Sequence, residues 1–375
     1  MNSVLGETVL TESDPTKGSR AIKRKRVVEF LDRQNLDGVL LTLQSNFAWY
    51  TDGARGHTNI ASEESIAELL VTRAEEHLFV NAIESRRLTT EELRWNAPVV
   101  HINAWWDDPS RRSLVKKEFG SRIVYDSGAL RQEFARLRYS LLPHEIERYR
   151  ALGRDVAGVF WDIIPTLKPG MAEFDLAAEI SGRLLRKGVE AIVLLVAFDE
   201  RAKAYRHPIA TMNTLKKVAL VSVCGRRHGL IASATRQYVL GGVSEEFRLK
   251  HAAVARVDAW LLHETAPNLR VAELFRGLKE QYASVGYPNE WYLHHQGGAA
   301  GYMTRDYRAS EQSREVVQVN QAFAWNPTIT GTKSEDTVII GESGYSVLTD
   351  DPRWPKRDVE LNGSIVQRPD LLILD

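Results

Sequence analysis

Short apolar runs and charged amphipathic segments alternate along the first third of the chain. Apolar residues recur at helical spacing among lysines and arginines from about Arg20, which predicts an opening helix. Compact apolar runs predict strands at 38–43, 68–72, 77–80, 98–102 and 122–125, and charged segments predict helices at 85–95 and 109–119. Alternating strands and helices are typical of a small α/β domain.

From Pro143 the pattern changes to longer amphipathic helices and closely spaced strands. The predicted helices are 143–165, 173–187, 244–262 and 271–285, and the predicted strands are 191–198, 218–224, 230–233, 322–325, 337–341 and 345–348. This pattern is typical of an α+β domain with hairpin-connected strands. We therefore predict a flexible arm at 1–18, an α/β domain at 19–126, a linker at 127–142 and an α+β domain at 143–375.

The charge balance argues against two classes of partner. The chain has 49 Lys and Arg against 49 Asp and Glu, so the basic surplus of a nucleic-acid-binding protein is missing. The basic segment Arg20–Arg26 is better interpreted as the solvated face of the opening helix. No apolar run reaches the roughly 18–20 residues of a membrane span, and the N-terminal segment does not look like a signal peptide. We expect a cytoplasmic protein that binds neither nucleic acid nor membranes.

The single cysteine, Cys224, excludes an internal disulfide and a thiolate metal cluster. It lies on a predicted central strand, where a cysteine usually behaves as a small buried hydrophobic residue. The alternative is a reactive thiol, because Arg226, Arg227 and His228 are close in sequence.

Several segments together resemble a known family. Pro143-His-Glu-Ile-Glu and Leu167-Lys-Pro-Gly-Met171 are similar to the start of the catalytic domain of the creatinase/aminopeptidase P (M24) family. Ala232-Ser-Ala-Thr-Arg236 and Gly331-Thr-Lys-Ser-Glu-Asp-Thr-Val338 resemble its central strand and closing hairpin, and Asn46-Phe-Ala-Trp-Tyr-Thr51 resembles a run of its N-terminal domain. The resemblance covers nearly the whole chain and implies an α/β N-terminal domain followed by an α+β pita-bread domain.

The family's peptidases hold two divalent cations with two Asp, one His and two Glu. In this chain the matching positions are Ser222, Ser233, Gly298 and Asn326, and only the last position keeps its acid, Glu335. Two adjacent dications need several carboxylates to balance and bridge their charge. We therefore predict no metal at these positions and no cofactor.

Three residues are the catalytic candidates that the resemblance implies. His207 matches an active-site histidine that moves protons in creatinase; the structural alternative is a histidine beside a proline turn. Glu335 is expected to orient a water or a cationic nitrogen. His294 and His295 open the Gly-rich stretch, and neighbouring side chains on a strand point to opposite faces. We place His294 in the pocket and keep His295 as the alternative, a substrate-binding candidate.

The remaining candidates are substrate-binding residues. Arg236 and Arg305 are expected to hold a carboxylate, although Arg236 is equally consistent with a structural ion pair to Glu335. Glu264 is either a pocket acid or a solvated helix-end residue. In the family's dimers the small domain reaches over the partner's pocket, which makes lid residues of Trp49, Tyr50 and Arg55. Creatinase has a Glu at the position of Thr235, so this departure argues against creatine as the substrate.

These residues predict a homodimeric, metal-independent, creatinase-like hydrolase that cleaves a C–N bond in a small amino-acid-derived substrate bearing a carboxylate. One alternative is a catalytically inactive pseudopeptidase that binds a peptide or metabolite. Another is a lyase-type enzyme, because a proton-shuttling histidine does not require water as the nucleophile.

Overall fold

The protein, seen here as a computed structural model, is described over residues 15–93, 98–106 and 115–375. Its N-terminal region contains helices α1 (Pro15–Arg33) and α2 (Gln44–Tyr50) and strands β1 (Gly38–Leu43), β2 (Glu64–Thr72), β3 (Glu76–Asn81), β4 (Val99–Asn103) and β5 (Ile123–Tyr125). The strands form one sheet in the order β4-β3-β2-β1-β5. β1 runs antiparallel to β2 and parallel to β5, and α1 buries Val27, Phe30 and Leu31 in the main core.

All five strands predicted in this region are confirmed. The predicted helix at 85–95 is shorter in the structure. A helical turn at Ser85–Arg87 continues as a single π-turn at Leu88–Glu92. Residues 94 and 95 of the predicted range lie outside the described residues. Of the predicted helix 109–119, residues 115–119 are helical and the rest lies outside the described residues. Most of the predicted arm 1–18 is also outside them, and α1 already begins at Pro15.

The C-terminal region begins with two long helices, α3 (Pro143–Asp162) and α4 (Glu173–Arg186). Pro143 occupies the first turn of α3, where a missing N–H costs nothing, and the Glu145 side chain accepts a hydrogen bond from the Leu142 N–H at 2.8 Å. Both helices lie against a sheet built from β6 (Glu190–Phe198), β7 (Val218–Arg227) and β8 (Leu230–Leu240). At Gly225 of β7 a Cβ would lie 2.7 Å from Val156 of α3, so this close packing requires glycine.

Two more helices and ten strands complete the described chain. The helices are α5 (Glu245–Glu264) and α6 (Val271–Ser284). The strands are β9 (Gly297–Ala300), β10 (Tyr307–Arg308), β11 (Ala322–Trp325), β12 (Thr328–Ile329), β13 (Thr332–Lys333), β14 (Asp336–Ile340), β15 (Tyr345–Val347), β16 (Lys356–Leu361), β17 (Ser364–Pro369) and β18 (Leu372–Leu374). Shorter helical turns lie at Arg131–Ala135, Arg136–Arg138, Ile164–Thr166, Glu200–Ala204 and Glu290–Leu293.

Two sheets meet where the candidate residues lie. One has the strand order β18-β8-β7-β6 and the other has the order β10-β9-β11-β14-β15. An isolated bridge pairs Thr235 of β8 with Glu335, just before β14, and the Thr235 N–H donates to the Glu335 carbonyl at 3.1 Å. The fold therefore brings the two polar segments that carry the family resemblance into direct contact.

The predicted C-terminal helices are confirmed, but β8 runs to Leu240, well beyond the predicted 230–233. The extension is buried although it contains Thr235, Arg236 and Gln237, and buried polar residues hide a strand from a hydrophobicity pattern. The charged hairpin of β16 and β17 was missed for a similar reason. None of the described helices is both long and apolar enough to cross a membrane.

Candidate active site

Glu335 is the centre of a buried, fully engaged charge cluster. Its side chain is only 4% exposed. One carboxylate oxygen accepts from the Arg305 guanidinium at 2.9 Å, and the other accepts from the Lys333 ammonium at 2.8 Å and from the Thr235 hydroxyl at 2.7 Å. Burial alone would raise the pKa of Glu335, but the two cations outweigh burial and hold that pKa well below its usual range. Glu335 is therefore a buried carboxylate that stays ionised between the Arg305 and Lys333 side chains.

Hydroxyl groups surround this cluster. Ser222 Oγ lies 2.7 Å from Thr235 Oγ1 and 3.5 Å from Lys333 Nζ. Ser233 Oγ donates to Cys224 Sγ at 3.2 Å and lies 3.5 Å from the Arg305 guanidinium. Ser222 and Ser233 are the two positions that the sequence analysis matched to the family's aspartates, and protein cations lie close to both of them.

These residues do not fit a pair of dications. Glu335 is the one carboxylate among the five positions, and both its oxygens already contact cationic side chains. At Gly298, the position of the family's histidine, a Cβ would lie 2.2 Å from the Tyr307 carbonyl oxygen, so this backbone has no room for a side chain. Asn326 offers one amide oxygen, which is buried without a hydrogen-bond partner among the described residues.

Three histidines form a second cluster close to the first. His207 Nε2 and His294 Nε2 are 3.0 Å apart, and one ring nitrogen from each of His207, His294 and His295 lies within 4.8 Å of the other two. The rings of His294 and His295 stack, with centroids 4.5 Å apart. The expectation that these neighbours diverge is therefore wrong, because they lie between the turn Glu290–Leu293 and β9, outside any strand.

The surroundings keep all three imidazoles neutral near pH 7. Burial lowers the pKa of His207, and the nearby Lys333 charge lowers it further. Burial and then the Arg305 charge lower the pKa of His295 to about 3, and burial and then Lys333 hold the pKa of His294 lower still. A neutral imidazole keeps a lone pair, so the cluster can accept a proton or bind a metal ion.

Of the two predicted carboxylate-binding arginines, the structure places one in this site. Arg305 belongs to the Glu335 cluster, where its guanidinium donates to the Glu335 carboxylate at 2.9 Å. Arg236 points the other way: its guanidinium is buried and contacts Asp336 at 2.9 Å together with the carbonyl oxygens of Thr235 and Thr349. Arg236 thus forms a structural ion pair, but with Asp336 and not with Glu335 as the alternative interpretation expected, and its buried guanidinium does not support a substrate-binding role.

Two of the three predicted lid residues are not on the surface. Trp49 and Tyr50 are 0% and 1% exposed within the N-terminal core, and the Tyr50 hydroxyl donates to Glu76 at 2.5 Å. Buried rings cannot reach a partner's pocket, so the lid prediction for both is wrong. Arg55 is more exposed, but Glu92 holds its guanidinium at 2.8 Å, and it lines a separate charged cavity of about 520 Å³.

Two other expectations concern residues away from the histidines. Glu264 ends α5 with its side chain 37% exposed, and its one ion-pair contact among the described residues is with His263 at 3.9 Å. This is the geometry of a solvated helix end. Burial raises the pKa of the Cys224 thiol, which fits a small buried residue better than a nucleophile.

Two residues of the site were missed from the sequence. Lys333 lies two positions before Glu335, and the two side chains meet although neither residue lies in a predicted strand. Arg308 lies on β10, opposite Gly298 in the sheet. It is exposed, has no ion-pair partner among the described residues, and its charge contributes to the lowered pKa values of His207 and His295.

Comparison with known proteins agrees with this architecture. The family model for metallopeptidase family M24 matches residues 147–342, which is more than half of the chain. The chain therefore belongs to metallopeptidase family M24, a family of hydrolases that act on C–N bonds, and its fold is an α/β N-terminal domain with an α+β pita-bread domain.

Individual relatives are distant but extend over most of the chain. An uncharacterized peptidase of Staphylococcus epidermidis is 19% identical over 358 residues, which cover 87% of this chain and 98% of the relative. The prolidase from Pyrococcus horikoshii superposes with a TM-score of 0.74 at 19% identity, over 88% of this chain and 99% of its own. The N-terminal domain of a FACT complex subunit from chickpea has a TM-score of 0.67 at 11% identity, over 89% and 96% of the two chains.

Proposed function

We propose that this chain is a metal-independent, creatinase-like enzyme that cleaves a C–N bond in a small substrate bearing a carboxylate. The observation that carries the proposal is the contact between His207 and His294, two neutral imidazoles 3.0 Å apart beside a fixed cationic cluster. A neutral, partly exposed imidazole is suited to take a proton from water or substrate near pH 7.

The cationic cluster takes over part of the electrostatic work that metal ions do elsewhere in the family. Lys333 and Arg305 hold two positive charges against the single negative charge of Glu335, which leaves a net positive centre. Such a fixed centre stabilises negative charge that develops on an oxygen during C–N bond cleavage, and it needs no reorganisation to do so. Arg308, which has no acidic partner among the described residues, is the proposed contact for the substrate carboxylate.

The proposed reaction is a hydrolysis with a simple proton balance. His207 accepts a proton from water while the water oxygen bonds to the electrophilic carbon, and it returns that proton to the nitrogen as the C–N bond breaks. Water thus supplies the hydroxyl of one product and the hydrogen of the other. His294 contacts His207 through Nε2 and fixes the orientation of its ring.

A substrate screen tests the proposal. Guanidino acids, N-acyl amino acids and Xaa-Pro dipeptides are incubated with the protein in the presence and absence of EDTA, and products are quantified by mass spectrometry. We expect turnover that EDTA leaves intact and that His207→Ala lowers about 100-fold or more, because general acid–base catalysis contributes about that much. His263→Ala, at a partly exposed histidine of α5, is the matched control and should keep wild-type turnover. Turnover that EDTA abolishes, or that survives His207→Ala, contradicts the proposal.

A second candidate is a binding protein without turnover, and one observation favours it. Both oxygens of Glu335 are occupied by Lys333 and Arg305, so this residue has no free oxygen with which to orient water. The fold also occurs in a FACT complex subunit, and not only in proteins described as peptidases. Ligand-induced thermal stabilisation with no product from any tested compound would favour this candidate. A lyase-type reaction would instead give products that contain no oxygen from ¹⁸O-labelled water.

A further inference from the structure

The three-histidine cluster has a geometry that the proposed proton transfer does not require. Proton transfer at His207 needs one partner, whereas the structure brings three imidazoles together with ring nitrogens no more than 4.8 Å apart. The Nδ1 atoms of His294 and His295 are buried and have no hydrogen-bond partner among the described residues. His294 as a whole is only 8% exposed.

The separation of His207 and His294 matches a pair of ligands on one ion. A transition metal binds imidazole nitrogen at about 2.0–2.1 Å, so two nitrogens on the same ion are about 2.9 Å apart at a right angle and about 3.4 Å apart in a tetrahedron. The observed Nε2–Nε2 distance of 3.0 Å falls within that range. A ring nitrogen of His295 lies no more than 4.8 Å from those of His207 and His294, so the third imidazole is next to the pair.

We infer that His207, His294 and His295 bind a single transition-metal ion of the zinc, nickel or copper class, at a site distinct from the five positions of the family's dinuclear centre. Imidazole is the ligand that these borderline ions prefer, and three imidazoles leave coordination positions open for water or an anion. His207 is exposed, so an ion can enter from solvent.

Neighbouring charges limit the affinity of the site. Lys333, Arg305 and Arg308 repel a dication, while Glu335 attracts it. A bound anion, which the net positive centre favours, would offset the repulsion. Affinity should therefore rise when a carboxylate ligand is present, a coupling that a structural metal site in neutral surroundings would not show.

Metal binding also has a consequence for turnover, and this part rests on the proposed function. An ion held by His207 and His294 occupies the lone pairs that proton transfer uses. The ion should therefore inhibit a metal-independent enzyme instead of activating it.

The experiment measures binding directly on the full-length, chelator-stripped protein. Zinc and nickel are titrated by isothermal calorimetry, and cobalt is added as a spectroscopic probe whose visible absorption reports coordination by nitrogen. We expect one equivalent per chain, and a loss of affinity of about tenfold or more in His295→Ala and in His294→Ala. His263→Ala and Asn326→Ala are the controls: the first removes a histidine outside the cluster, the second removes a side chain at a family ligand position.

Both controls should bind within about twofold of the wild type. A stoichiometry of zero overturns the inference, and so does an affinity that His295→Ala leaves unchanged or that Asn326→Ala lowers as much as His295→Ala does. The outcomes are independent of catalysis: a protein that binds one ion but turns over no substrate contradicts the proposed function and leaves the metal site standing. A metal that activates turnover instead of inhibiting it supports the site and contradicts metal independence.

Discussion

The two clusters of the candidate active site differ in charge: the Glu335 cluster consists of buried ionised side chains, and the His207 cluster consists of neutral imidazoles. Around Glu335, every charge is buried and engaged: the carboxylate has two cationic partners and a hydroxyl donor. Around His207, the three imidazoles are neutral, their exposure ranges from the buried His294 to the exposed His207, and two ring nitrogens have no hydrogen-bond partner among the described residues. The Glu335 cluster sets the electrostatic potential of the site. The histidine cluster provides groups that can gain or lose a proton or bind a ligand.

The comparison shows how a buried carboxylate is held without a metal ion in the proposed metal-independent site. Buried ions are tolerated only when they are paired, so Glu335 requires cations as partners. Lys333 and Arg305 meet that requirement. The same two side chains lower the pKa values of the histidines, so the clusters are electrostatically coupled although each keeps its own hydrogen bonds.

The largest expected effect comes from breaking the charge cluster. Glu335→Gln keeps the shape of the side chain but leaves Lys333 and Arg305 buried without a counter-charge. Removing one partner of a buried ion pair costs about 3–5 kcal/mol, so we expect the free energy of unfolding in urea to fall by that amount. Glu264→Gln, at the partly exposed end of α5, should stay within about 0.5 kcal/mol of the wild type. Equal stability of the two variants would mean that the cluster is solvated and loosely held.

A smaller effect distinguishes the histidines. Their folded-state pKa values are lowered, so below pH 6.5 the unfolded chain binds more protons than the folded chain, and stability falls as the pH falls. His295 contributes at most about 1.4 kcal/mol per pH unit between its unfolded pKa and its folded value of about 3, and less because its ring is partly exposed.

His295→Asn should therefore make the fall in unfolding free energy between pH 6 and pH 5 smaller by about 1 kcal/mol. Burial lowers the pKa of His251 on α5 to about 4, so His251 also makes stability fall as the pH falls. This contribution is the same in the wild type and in His295→Asn, so it does not affect the difference between them. His263→Asn is the control for the loss of a histidine elsewhere on the surface. A wild-type slope in His295→Asn would show that His295 is solvated in the folded protein.

Most of the fold could be predicted from the sequence, whereas the candidate site could be predicted only in part. Apolar periodicity located β1, α3 and α6 to within a few residues, because each buries a regular apolar stripe. The buried polar residues of β8 carry no such signal. Their burial is stabilised by partners from Gly331–Asp336, about 100 residues away, which no local pattern reports.

Residue identity alone also did not show which arginines form structural ion pairs and which can bind a ligand. Arg236, Arg305 and Arg308 all lie in the C-terminal α+β domain, yet the first is held by Asp336, the second by Glu335, and the third is exposed with no ion-pair partner among the described residues. Which acid each arginine meets depends on strand register and on the direction of each side chain. Three-dimensional contacts, not spacing, decide which guanidinium is available to a ligand.

The smallest expected effect on stability, and the sharpest test of this assignment, is at Arg308. Arg308→Gln removes an exposed charge that has no ion-pair partner among the described residues, so the free energy of unfolding should change by no more than about 0.5 kcal/mol. The pKa of His295 should nevertheless rise, because Arg308 is one of the cations that lower it; NMR titration of the ring protons measures this rise. With a carboxylate-bearing substrate, KM should increase about tenfold or more while kcat changes less, since a carboxylate is held equally in the ground and transition states. Arg314→Gln, at another exposed arginine nearby in sequence, should change neither the pKa of His295 nor KM. If both variants behave alike, Arg308 is only a solvated surface residue, and the cation that recognises the substrate has to come from the Glu335 cluster itself.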